Sequence, residues 1–155
     1  MIISFILNGQ RRELDVDGSV RAVDILREHC GVTGPKEGCG TGECGACAVW
    51  VDGVTKLSCL MLAAQLDGRE VTTTEGLAEG EPHPVQTALA ERGGVQCGYC
   101  TPGIVMTAAE LLKAESQPNR DEIRHALSGN LCRCTGYHKI VDAVEDAASR
   151  IQEKK

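Results

Sequence analysis

The sequence predicts an α+β protein in which the strands come first and the helices follow. In the first half, apolar and polar residues alternate around the dipeptides Asn8-Gly9 and Asp52-Gly53, a pattern typical of β-hairpins. In the second half, apolar residues recur with the period of about 3.6 residues that amphipathic helices show. Between the two patterns, residues 75–84 are polar, rich in Gly and Pro and without a period, which predicts a linker.

The elements of the first half follow from local signals. Alternating apolar residues predict strands at 2–7, 11–16, 48–51, 54–57 and 70–73. A helix is expected at 21–28, because Ala22, Ile25 and Leu26 would share one apolar face. A short apolar segment, 60–64, precedes the last strand.

The second half is predicted to contain helices at 84–91, 102–113, 120–127 and 138–151. Pro84 and Pro102 stand at first helical positions, where a missing N–H costs nothing. Asn119 and Glu122 have the spacing of a capping box at the start of the third helix. Four short helices are therefore expected.

Composition and charge exclude several classes of function. With 155 residues, a net charge of -6, one Trp, two Tyr and one Phe, the chain has no basic stripe or stacking platform for nucleic acid. Its apolar N-terminal segment, 1–7, is too short for a signal peptide or a membrane span. A cytoplasmic protein without a membrane span is expected, and its nine cysteines then indicate metal ligation or redox chemistry rather than disulfides.

The first group of cysteines lies in the segment GCGTGECGACAVW, residues 38–50. Cys39, Cys44 and Cys47 have the C-x4-C-x2-C spacing of a plant-type iron-sulfur loop, and Cys59 supplies a distant fourth thiolate. Glycines allow such a loop to wrap closely and to direct N–H groups at an anionic cluster. The same segment also matches G-x-G-x-x-G, but it precedes a predicted strand rather than opening a helix, so nucleotide binding is not favoured.

The second group is Cys97, Cys100, Cys132 and Cys134, spaced C-x2-C and C-x-C. A C-x2-C pair before a helix is also typical of a thiol-disulfide redox site. Zinc takes four cysteines too, although C-x-C departs from the usual zinc knuckle. Taken by itself, this group leaves three possibilities open: zinc, a 2Fe-2S cluster or a redox pair.

Three segments together, GCGTGECGACAVWVDG, VQCGYCTPG and GNLCRCTGY, make the chain resemble the small iron-sulfur subunit of molybdenum hydroxylases, relatives of xanthine dehydrogenase and carbon monoxide dehydrogenase. The resemblance runs over essentially the whole chain. It implies a β-grasp, plant-type ferredoxin-like domain at 1–75, a linker at 76–84 and a four-helix bundle domain at 85–155. Each domain is expected to hold one 2Fe-2S cluster.

The resemblance also implies roles for residues and partners. A large subunit would carry molybdopterin, and an FAD-binding subunit or an external acceptor would receive the electrons. The ligands would be Cys39, Cys44, Cys47 and Cys59 for one cluster and Cys97, Cys100, Cys132 and Cys134 for the cluster nearest the pterin. Gln96 and Cys134 would contact the pterin itself. The expected function is electron transfer, with xanthine or another N-heterocycle as the partner's substrate. The alternative is a ferredoxin-type module with a zinc-stabilised helical adaptor and no relay role.

Three further residues are assigned structural roles. Cys30 remains after eight ligands are taken from nine cysteines, and it is expected to be a small buried apolar residue. Tyr99 and Tyr137 flank the second group of cysteines and are expected to pack.

Overall fold

A computed structural model of the protein describes residues 1–78 and 80–154. Its first half is built on a mixed five-stranded sheet with the order β2-β1-β5-β3-β4. The strands are β1 (Ile2–Leu7), β2 (Gln10–Asp15), β3 (Ala48–Val51), β4 (Val54–Leu57) and β5 (Glu70–Thr72). The predicted α+β class is confirmed.

Two tight turns form the predicted hairpins. Asn8 and Gly9 have φ of 50° and 78°, and Asp52 and Gly53 have φ of 53° and 79°. Two successive positive φ values define a type I′ turn, whose twist matches that of antiparallel strands. β5 then joins the hairpins, because it pairs parallel to β1 and antiparallel to β3.

The predicted helix at 21–28 is present in a modified form. Helix α1 (Ala22–Asp24) continues into a π-helical turn, Ile25–His29, in which the N–H of Cys30 bonds to the carbonyl of Ile25 at 3.0 Å. Ala22, Ile25 and Leu26 are fully buried, as their shared face predicts. The wider turn is a feature that apolar periodicity does not encode.

Four helices make up the second half: α2 (Pro84–Glu91), α3 (Thr101–Ala114), α4 (Arg120–Ala126) and α5 (His138–Glu153). They enclose one apolar core that includes Ile104, Ile123 and Val144. The Asn119 side chain accepts from the N–H groups of Asp121 and Glu122, and the Glu122 carboxylate accepts from the N–H of Asn119. The predicted capping box is therefore confirmed. With α1, which lies in the range of the helix expected at 21–28, the described residues contain five α-helices.

The predicted linker, 76–84, is partly helical in the structure. A 3₁₀ turn spans Thr74–Leu77, and Pro84 is already the first residue of α2. Glu79 of this linker lies outside the described residues, as does Lys155 at the end of the predicted helical domain. In the described ranges, no helix is long and apolar enough to cross a bilayer.

The sheet and the helices contact each other directly through β3, β4 and α3. The indole Nε1 of Trp50 donates to the carbonyl of Met106 at 3.0 Å, and the N–H of Thr55 donates to Glu110 Oε1 at 3.2 Å. The ammonium group of Lys113 lies 5.5 Å from the centre of the Trp50 ring, within cation–π range. These contacts pack the β3–β4 hairpin along α3.

His83 caps α2 with its imidazole ring. Nδ1 accepts from the N–H of Val85 at 3.2 Å, and the His83 N–H donates to Gln86 Oε1 at 2.8 Å. Burial holds the pKa of His83 below its ordinary value of 6.5. The adjacent cleft is bordered by three carboxylates and two ammonium groups, Glu70, Glu75, Glu81, Lys113 and Lys154.

We expect the His83 cap to make stability depend on pH. Because the folded-state pKa is depressed, the unfolded chain takes up the proton first, so the stabilisation is present above about pH 6.5 and is lost as pH falls through the folded-state pKa. Loss of the cap should cost about 1 kcal/mol. Urea midpoints between pH 8 and 5 should fall more steeply for the wild type than for His83→Asn, which caps without titrating. Parallel profiles would contradict the expectation.

Candidate metal centres

The strand register brings the distant Cys59 to the first cysteine loop. Ala48 of β3 lies opposite Leu57 of β4, so Cys47 and Cys59 meet where the hairpin opens. Ser58 directly precedes Cys59 and is fully buried. Its hydroxyl donates to the Cys47 carbonyl at 2.7 Å. Cys47 and Cys59 are buried, with 2% and 5% of their surface exposed, whereas Cys39 is exposed.

Cys39 lies inside a ring of donors. Its Sγ accepts from the backbone N–H groups of Thr41, Glu43 and Cys44 at 3.3–3.4 Å. The turns that aim these groups require Gly40 and Gly42, which have φ of 66° and 85°. Hydrogen bonds from Thr41, and then from Cys44 and Glu43, lower the pKa of Cys39 to about 6. These hydrogen bonds therefore stabilise a thiolate at Cys39.

The inner thiols of the same group are close neighbours. Burial, followed by the adjacent Cys59 thiol and the charge on Cys44, raises the pKa of Cys47 to about 11. Gly38 leaves the space that Cys44 needs, because a Cβ there would lie 2.8 Å from the Cys44 Sγ. The structure thus brings together the four cysteines predicted for this site, here called quartet 1: Cys39, Cys44, Cys47 and Cys59.

The second group assembles from two helix ends. Cys97 and Cys100 lie in the loop before α3, and Cys132 and Cys134 lie in the loop between α4 and α5. Burial and then the Cys132 thiol raise the pKa of Cys100 to about 12, while the Cys97 thiol raises the pKa of Cys134. The four are here called quartet 2, with the pairs Cys100–Cys132 and Cys97–Cys134.

Quartet 2 has hydrogen-bond donors of its own and a more exposed edge. The N–H of Tyr99 lies 3.5 Å from Cys97 Sγ, and the Thr135 hydroxyl lies 3.1 Å from Cys132 Sγ. Cys97 and Cys134 are exposed, as is the neighbouring Gln96. Three large apolar side chains near these cysteines are exposed as well, Val95, Tyr99 and Leu131, at 38%, 48% and 56%.

The thiol arrangement fits a two-iron group. Within the described ranges, no three His, Cys, Asp or Glu side chains converge closely enough to hold a single metal ion. Six of the eight thiols instead stand in pairs, Cys47 with Cys59, Cys100 with Cys132 and Cys97 with Cys134. A 2Fe-2S cluster takes two ligands on each iron, so paired thiols suit it. The N–H groups around Cys39 also match the need of an anionic cluster for donors.

Hydrogen bonds join the loops that carry the two quartets. The N–H of Leu131 donates to the carbonyl of Cys44 at 2.9 Å, and the side-chain amide of Asn130 donates to the carbonyl of Gly45 at 3.3 Å. Leu131 directly precedes Cys132, so a single backbone hydrogen bond connects the segment that carries Cys132 to the segment that carries Cys44. Tyr99 adds a further link, since its hydroxyl donates to the carbonyl of Glu37.

Three of these residues were not predicted to act near the sites. Asn130, buried at 4% exposure, carried no signal beyond the GNLCRC motif in which it lies. Tyr99 and Tyr137 were expected to pack, yet both hydroxyls bond to the backbone of the cysteine loops. Cys30 is half-buried against the core of the sheet, and burial raises its pKa, in agreement with an apolar role.

Comparison with known proteins identifies the family. A family model described as a 2Fe-2S binding domain matches residues 73–145. The nicotine 6-hydroxylase small subunit of Paenarthrobacter nicotinovorans is 49% identical over 148 residues, which cover 96% of this chain and 90% of that protein. The chain belongs to the small iron-sulfur subunits of molybdenum hydroxylases. Like its relatives, this small subunit is the iron-sulfur part of an oxidoreductase complex.

Further relatives agree in sequence and in fold. The nicotinate dehydrogenase small FeS subunit of Eubacterium barkeri is 49% identical over 149 residues, covering 96% of this small subunit and 95% of its own length. In the crystal structure of quinoline 2-oxidoreductase from Pseudomonas putida 86, one chain superposes with a TM-score of 0.95 at 42% identity. That match covers 99% of this small subunit and 96% of the other chain. The recognition from three cysteine motifs is therefore confirmed.

Proposed function

We propose that this chain relays electrons from the molybdopterin centre of a large partner subunit, through two 2Fe-2S clusters, to an FAD-binding subunit or an external acceptor. The observation that carries the proposal is the geometry of the quartets. Each quartet has at least one exposed cysteine: Cys39 in quartet 1, and Cys97 and Cys134 in quartet 2. The loops that carry the two quartets are joined by the hydrogen bond from the N–H of Leu131 to the carbonyl of Cys44. Two exposed ends with a short bonded connection are what a relay requires.

In this proposal, all eight quartet cysteines are cluster ligands. When bound, a 2Fe-2S cluster supplies one-electron redox chemistry. The paired thiols suit two irons per quartet, because each iron of a 2Fe-2S cluster takes two thiolates, whereas a structural zinc ion takes four. The protein's own part is to hold the thiols, to supply N–H donors at Cys39 and to bury Cys47 and Cys59.

The exposed edge of quartet 2 is proposed to face the large subunit. Cys134 and Gln96 are both exposed there and are proposed to contact the pterin. Val95, Tyr99 and Leu131 give this edge an apolar surface, which supports docking to a partner rather than contact with water. Quartet 1, through Cys39, would then face the FAD-binding subunit or the external acceptor.

We further propose that residues 1–75 form the β-grasp ferredoxin-like domain, 76–84 the linker and 85–155 the helical 2Fe-2S domain. The sheet with α1 supports the first, and α2 to α5 around one core support a four-helix bundle for the last. A cytoplasmic location is proposed because the nine cysteines form no disulfide bond within the described residues. The names nicotine, nicotinate and quinoline among the relatives support an N-heterocycle as the large subunit's substrate.

Metal analysis of the purified chain, prepared and reconstituted without oxygen, tests the proposal. We expect about four irons and four sulfides per chain and two distinct 2Fe-2S signals in electron paramagnetic resonance after reduction. Cys30→Ser is the matched control, because it removes the ninth thiol and should leave the iron content unchanged. One or two zinc ions per chain without visible absorption would contradict the proposal and favour the zinc-stabilised adaptor.

A further inference from the structure

We propose that Tyr137 is a positioning residue for the cluster of quartet 2, an inference that rests on the proposed function. Its hydroxyl donates to the carbonyl of Asn130 at 2.8 Å and accepts from the N–H of Cys132 at 2.7 Å. These two bonds hold both ends of the segment Asn130–Leu131–Cys132. That segment carries one ligand of quartet 2 and the hydrogen bonds to quartet 1.

The backbone at Tyr137 indicates that the side chain is needed there. Tyr137 has a φ of 71°, directly after Gly136 at 63°. The other residues with positive φ in the described ranges, glycines aside, are Asn8 and Asp52, both in tight hairpin turns. Left-handed backbone favours Gly or Asn and is costly for a large aromatic residue. The strain is accepted because the ring packs on the helical core and carries the hydroxyl to the loop.

The other hydrogen bonds of the segment that Tyr137 holds run to Leu127 and to the loop of quartet 1. Asn130 is buried, with its side-chain amide directed at Gly45, and the N–H of Leu131 is directed at Cys44. Without the hydroxyl, the Cys132 N–H and the Asn130 carbonyl lose their partners in a half-buried site. The segment can then shift relative to quartet 1, and the Cys132 thiol shifts with it. This change acts on quartet 2 and leaves the donors around Cys39 in place.

Tyr137→Phe in the full, iron-loaded chain tests this role, because it keeps the ring and removes the hydroxyl. We expect iron to leave one of the two clusters about tenfold faster in the presence of a chelator, as for other residues that support metal ligands. The midpoint potential and the resonance signal of that cluster should change, while those of the other cluster stay at wild-type values. Ser149→Ala is the control, since it also removes one hydroxyl, which bonds to the Glu145 carbonyl within α5 and to neither cysteine loop.

The outcomes separate this inference from the proposed function. If the wild type holds two clusters and Tyr137→Phe behaves like Ser149→Ala, the positioning role is overturned and the relay stands. Equal changes in both clusters would overturn it too, because they indicate a general loss of structure. If the wild type holds no clusters, the proposed function itself fails. Should Tyr137→Phe not fold, 4-aminophenylalanine at position 137, which restores a polar group, should fold and recover wild-type chelator resistance; failure to recover it counts against the role.

Discussion

Cys134→Ser is expected to slow the reduction of this chain by the partner's substrate at least about tenfold in the intact complex. Mutation of a residue that merely supports a metal ligand typically lowers metal affinity or activity about 10- to 100-fold. Cys134 is proposed to be a ligand itself and also a pterin contact. Cys134 is exposed and stands beside Cys97, at the edge proposed to face the large subunit. Stopped-flow absorbance under anaerobic conditions, with substrate as the reductant, measures this step.

The matched variant in quartet 1 is Cys59→Ser. Cys59 is buried next to Cys47, away from the exposed edge of quartet 2. We expect this variant to keep near wild-type reduction by substrate and to lose turnover with the final acceptor by a similar factor of about ten or more. Equal effects of the two variants on both steps would contradict the division of labour between the quartets.

Local signals in the sequence predicted most of the fold. The dipeptides Asn8-Gly9 and Asp52-Gly53 placed both hairpins, because type I′ turns need residues that tolerate positive φ. Asn119 and Glu122 placed the start of α4 through a capping box. Each of these signals is short, since the interacting groups are within four residues of one another. Such features can be read without knowing the rest of the molecule.

The contacts between the quartets could not be predicted in the same way. Asn130 meets Gly45 across 85 positions of sequence, and Trp50 meets Met106 across 56. No periodicity or spacing within a single chain encodes such a pair. The cysteine motifs predicted which thiols belong together, because ligand spacing follows from the metal group. They did not predict how the loops that carry the thiols pack, which is where Tyr137 and Asn130 act.

The close packing of the two cysteine loops leads to the second large expected effect, that of Gly103→Ala. Gly103 is buried in the first turn of α3, three residues after Cys100. A Cβ there would lie 2.2 Å from the carbonyl oxygen of Gly45 and 3.1 Å from its carbon. Both atoms belong to the backbone between Cys44 and Cys47, so they cannot move aside without moving quartet 1.

Helix propensity and packing make opposite predictions for this substitution. Propensity favours Ala over Gly by up to about 1 kcal/mol inside a helix, and by less in its first turn. Overpacking a rigid contact costs about 1–3 kcal/mol, and a separation of 2.2 Å from a backbone oxygen indicates the upper part of that range. We therefore expect a net destabilisation of about 1–2 kcal/mol. Both clusters should lose iron faster, because the two loops are forced apart.

Gly129→Ala provides the control, since it adds the same methyl group a short distance away. A Cβ at Gly129 would meet no atom within 4 Å, and its φ is not positive. We expect its unfolding free energy to stay within about 0.5 kcal/mol of the wild type, with both resonance signals unchanged. Urea unfolding and iron release measured on the two variants decide between the effects. A Gly103→Ala chain as stable as Gly129→Ala would show that the quartets are not held together by this contact.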